Sequence, residues 1–152
     1  MGGPGHRVRG SAARCLLALT VAFTSAGCGD HPAAPSALPE SAVPFTPEPV
    51  YRTWWDQVEA CSGTAGPFED VRWYVVPGDR PFVVPALGRT VLGYWDPGTN
   101  SIVVLQWVPS AAALVRHEIL HALLRRSDHP PEFFEERCGE VITGPSLPLD
   151  VD

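Results

Sequence analysis

Seventeen prolines and fourteen glycines in 152 residues set the first limit on this chain. Both residues break helix interiors, which excludes a long coiled coil or an all-helical bundle. Short elements joined by turns are expected instead, in one domain of modest size. All eleven basic residues are arginine. They stand against seventeen acidic residues, for a formal net charge of −6. So acidic a balance argues against nucleic acid as a partner, because phosphate binding needs clustered cations.

The N-terminus reads as an export signal. Arg7, Arg9 and Arg14 accompany the apolar run Cys15–Phe23, which is much shorter than the ~20 residues needed to cross a bilayer. Ser25-Ala26-Gly27-Cys28 resembles a bacterial lipobox, with Ser25 where that motif favours a Leu-like residue. The resemblance implies a signal peptide over 1–28, lipidation of Cys28, and anchoring to a membrane of the bacterial envelope. Plain secretion is the alternative. Cleavage would leave eight arginines against seventeen acidic residues, a net −9. Residues 29–49 contain Pro32, Pro35, Pro39, Pro44, Pro47 and Pro49 and no apolar period. That composition suits a disordered tether.

The folded domain is then expected over 50–145, with a loose tail over 146–152. It holds two cysteines, Cys61 and Cys138. In an oxidising compartment a single pair is most simply a disulfide, and a domain of about 95 residues gains from such a staple. Tyr51, Trp54, Trp55, Val58 and Cys61 fall at helical spacing and predict a helix from about 50 to 61, stopped by Ser62-Gly63. Val71–Val76 predicts a strand and Phe82–Val84 offers a shorter one. Runs at 90–95 and 101–105 flank Asp96-Pro97-Gly98-Thr99-Asn100, a hairpin signature. Ser110 can cap a long helix over 111–126, and Pro130-Pro131 can open a short last helix carrying Phe133, Phe134 and Cys138. The expected class is α+β, with a short antiparallel or mixed sheet. Trp54, Trp55, Trp73, Trp95 and Trp107 are expected in core and rim packing.

His117-Glu118-Ile119-Leu120-His121 is an H-E-x-x-H motif inside the predicted long helix. Residues i and i+4 share a helix face, about 5–6 Å apart, so two imidazoles can converge on one zinc ion. Glu118 lies about 100° round the helix from His117. It therefore sits beside the metal, where it can take a proton from a zinc-bound water. Every histidine of the expected domain, His117, His121 and His129, falls within 13 residues. A zinc site needs a third ligand. The chain must turn before Pro130-Pro131, and His129 in that turn is the preferred candidate. Asp128 is the alternative, as ligand or as acceptor for a ligand N–H, with helix N-cap as its other possible role. Glu132, Glu135, Glu136 and Glu140 follow.

This motif, with strands preceding its helix, resembles the zincin class of zinc metallopeptidases. The resemblance implies His117 and His121 as zinc ligands, Glu118 as catalytic base, and a peptide or protein substrate laid along an edge strand. The 101–106 strand, or else the 90–95 strand, is the counterpart here. Leu124 occupies the position of the metzincin Gly, and His129 lies eight residues beyond His121 rather than six. The only methionine is Met1, so no Met-turn exists. Glu135, Glu136 or Glu140 match the later Glu of gluzincins loosely. The reading is a minimal zincin, with Tyr74 or Tyr94 as possible oxyanion donor and a Cys61–Cys138 bridge pinning the segment that presents His129. Two functions compete: a zinc-dependent peptidase at the cell envelope, and a non-catalytic zinc-binding lipoprotein that serves structure or partner docking. Three protein ligands favour the first and four the second. A plain scaffold with an accidental motif is the third possibility.

Overall fold

The computed structural model describes residues 1–3, 38–107 and 111–144. Residues 4–28 of the expected signal peptide with the Cys28 lipidation site, the Ser110 cap and the 146–152 tail lie outside the described residues. Helix α1 (Pro49–Ser62) opens on a proline, whose missing N–H costs nothing in a first turn. It closes at Gly63, where φ is 70° and the N–H reaches the Glu59 carbonyl. The remaining elements are β1 (Val43–Pro44), β2 (Arg72–Val76), β3 (Phe82–Val84), β4 (Arg89–Val91), β5 (Gly93–Asp96), β6 (Ser101–Leu105), α2 (Ala111–Leu124) and α3 (Gly139–Thr143). One sheet has the order β1-β2-β6-β5, and β3 and β4 form a separate pair. The α+β class expected from the sequence is the one observed.

The main sheet is mixed. β2 and β6 run parallel with Trp73 opposite Ile102, whereas β5 and β6 run antiparallel with Trp95 opposite Ile102. Trp55, Val58, Trp73, Trp95, Ile102, Val115, Ile119 and Leu120 form the principal core, where α1 and α2 meet the sheet. Helix α2 packs against α1, α3, β5 and β6, so residues around almost its whole circumference are buried. Trp107, by contrast, is 70% exposed.

Five expectations need correction. Order begins before residue 50, because β1 pairs with β2 and Phe45 packs edge-on against Tyr51 and Trp73. Pro44 is tolerated there since β1 is an edge strand. The 90–95 run divides at Leu92: Arg89–Val91 pairs with β3, and only Gly93–Asp96 joins β6. The 101–106 segment cannot serve as an edge, because β6 is flanked by β2 and β5 and all five of its residues are buried. An uninterrupted apolar run is the mark of a strand covered on both faces. Helix α2 stops at Leu124 rather than 126, since Arg125 turns left-handed with φ 54°. The last helix is two pieces, a π-helical turn Glu132–Arg137 and then α3.

The β5–β6 turn is held by side chains. Asp96 accepts from the Gly98 N–H at 3.1 Å and from the Thr99 hydroxyl at 2.6 Å. Asn100 adopts φ 50°, accepts from the Trp95 indole at 3.0 Å and donates to the Asp70 carbonyl at 2.8 Å. Asn100→Ala loses both bonds and keeps the left-handed strain. It is expected to cost about 2–3 kcal/mol in urea unfolding; a loss under about 0.5 kcal/mol, the size of an ordinary surface change, would contradict this account.

Candidate metal centre

Helix α2 carries His117 and His121 one turn apart. The chain leaves the helix at Arg125, and the Arg126 carbonyl comes within 2.8 Å of His121 Nδ1. A carbonyl only accepts, so Nδ1 carries the proton and His121 Nε2 presents a lone pair. Arg126 then grips Asp128 through two bonds of 2.6 Å, which shapes the loop leading to His129. The outcome is convergence. His117 Nε2 lies 3.0 Å from His129 Nε2 and 3.2 Å from His121 Nε2. One ligand nitrogen from each histidine falls within 4.8 Å of the other two, and the three could hold a metal ion.

Asp128 takes none of the three roles foreseen for it, ligand, acceptor for a ligand N–H or helix N-cap. Its carboxylate is committed to Arg126, and the N-cap position of the next turn is Pro131. Glu132, Glu135, Glu136 and Glu140 are not part of the cluster; Glu132 faces Arg137 at 3.9 Å and Glu140 lines another cavity.

Phe134 is the floor of the cluster. Its ring centroid is 5.2 Å from that of His117, 4.7 Å from His121 and 4.6 Å from His129. The π-helical turn that aims it begins with Phe134 N–H bonded to the Pro130 carbonyl, and ends at Cys138. Cys138 forms the expected disulfide with Cys61, across 77 residues. The turn beneath the histidines is thereby tied to the end of α1.

Burial, with His121 and His129 adding to it, holds His117 down to a pKa of about 4. Burial also lowers His121. Both rings are therefore neutral near pH 7, the form that ligates a metal. Glu118 is only 5% exposed. Burial pushes its carboxyl up to about 8, against an opposing hydrogen bond from the Trp95 backbone and the positive charge of Arg89. Among the described residues no strand pairs with the side of β5 away from β6, and residues of β5 line the site.

A cleft of about 310 Å³ opens over these groups, lined by Arg89, Gly93, Tyr94, Trp95, His117, Glu118, His121 and His129 among others. Burial and nearby Asp96 push the Tyr94 phenol up to about 12, so it keeps its proton at neutral pH. Both tyrosines belong to the second cluster around Val76 and Val103, Tyr94 buried within it and Tyr74 packed against it, and Tyr74 does not line the cleft. Sequence reasoning missed Arg89 and Phe134. Arg89 reaches the cleft only through the β3–β4 pair, which no local pattern announces. Phe134 follows His129 by five residues, and that proximity was its one signal. Comparison with protein-family models, with curated proteins and with solved structures finds no match to this chain.

Proposed function

We propose that this protein is a zinc-dependent peptidase of the zincin kind, held at the bacterial cell envelope through Cys28. One observation carries the reading: three imidazoles converge on a point beside a buried carboxyl, within a cleft that β5 borders. Two nitrogens each ~2.05 Å from a tetrahedral ion stand about 3.3 Å apart. His117 lies at 3.0 and 3.2 Å from its partners, which suits zinc. The cluster has three members and no carboxylate among the described residues, which favours an open catalytic position over a closed structural one.

Zinc, when bound, supplies Lewis acidity that polarises the scissile carbonyl. The chain supplies the rest. Glu118, in the ionised form that the positive charge of a bound metal would favour against its burial, takes the proton of the attacking water and returns it to the leaving amine. The Trp95 N–H fixes the direction of that carboxylate. The edge of β5, rather than β6, receives the substrate backbone as an added strand.

The test is metal content together with hydrolysis. Purified protein is expected to carry one zinc per chain and to cleave casein or members of a peptide library. A chelator abolishes cleavage and zinc restores it. Zinc binding without cleavage of any substrate would instead establish the non-catalytic reading. The third ligand separates by mutation: His129→Ala is expected to weaken zinc binding by about 100-fold or more, and Asp128→Asn far less. Equal losses in a competition titration would return Asp128 to consideration.

A further inference from the structure

We propose that a second cavity, enclosed by α1, α2 and α3, binds a small monocarboxylate with an apolar body. The cavity measures about 670 Å³ and is separate from the histidine cleft. Helix α1 contributes Gln57, Ala60 and Cys61, α3 contributes Glu140 and Val141, and α2 contributes Arg116. Arg116 is the unusual member. It is only 2% exposed, and its one hydrogen bond among the described residues runs from Nη2 to the Gly144 carbonyl at 2.6 Å. Its Nε is buried with no partner. Among the described residues no carboxylate pairs with it.

A buried guanidinium without a counter-ion is costly, and folded chains seldom keep one unless something completes it. Its planar fork matches a carboxylate with two parallel hydrogen bonds. Ala60, the Cys61 disulfide and Val141 offer the ligand an apolar wall. Glu140, exposed at the same cavity, repels a second negative charge and so selects a single carboxylate over a dianion such as phosphate. Burial pulls the Arg116 pKa down.

Octanoate and 1-octanol are the probes, titrated into the full chain by calorimetry. Octanoate is expected to bind one per chain, and the alcohol about tenfold more weakly or worse. Arg116→Met should bring octanoate down to the level of the alcohol. That variant should fold, since a methionine buries its length without a charge. Ala60→Trp, altered at an exposed position, narrows the cavity and should weaken both probes. The proposal is overturned if octanoate does not saturate, if the alcohol binds as well, or if Arg116→Met leaves octanoate affinity unchanged. Should Arg116→Met fail to fold, unchanged octanoate binding by Ala60→Trp overturns it alone.

Discussion

Glu118→Gln is expected to lower peptide hydrolysis by about 10²- to 10⁴-fold while zinc content stays at one per chain. The amide keeps the length and the acceptor oxygen of the carboxylate, so the hydrogen bond from the Trp95 backbone survives. It loses only the ability to gain and release a proton. Glu118 is not a member of the cluster of His117, His121 and His129, so the substitution removes no ligand. The fold should tolerate it as well, since a neutral group at a position 5% exposed avoids the penalty of burying a charge. The informative experiment measures zinc and turnover on the same preparation. Turnover preserved in the variant would remove Glu118 from the chemistry, and zinc lost with it would mean that the carboxyl shapes the metal site.

The double substitution Cys61→Ser/Cys138→Ser is expected to have the largest effect on stability. Releasing a loop of 77 residues restores unfolded-chain freedom worth about 4.5 kcal/mol on the chain-entropy model. Small domains have only about 5–15 kcal/mol in total, and each kcal/mol shifts the melting midpoint by about 4–8 °C at this size. A fall of about 15 °C or more is therefore expected by circular dichroism. Zinc affinity should fall with it, because the bridge anchors the turn that carries Phe134 beneath the three rings. Helix α1 should suffer less, held as it is by Trp55 and Val58 in the core. A variant that melts within about 2 °C of the parent, well under the shift for a single kcal/mol, and binds zinc as tightly would refute both parts.

Much of this arrangement was legible in the residues. The spacing of His117 and His121, and the paired prolines after His129, announced two ligands on one helix face and a chain forced to double back. The lone cysteine pair announced its bridge. What escaped was set by contacts far apart in sequence. The parallel register of β2 on β6 places 101–105 in the sheet interior, and nothing within that segment states which neighbours it has. The split at Leu92 depends on whether 89–91 finds β3 or β6 first. The proline-rich run ahead of α1 looked like a tether because proline removes ladder donors, yet at a sheet border that loss is harmless and Phe45 has aromatic rings to meet. Asp128 went to Arg126 because a guanidinium two residues away is the nearer claimant.

Between the two α2 histidines lie Ile119 and Leu120, both completely shielded from solvent. The stretch that spaces the imidazoles is thus also the keel of the hydrophobic interior. Any repacking intended to raise thermal tolerance there would rotate or shift the rings it separates. Robustness and reactivity are written into the same five positions, so this domain can be hardened safely only from its periphery inward.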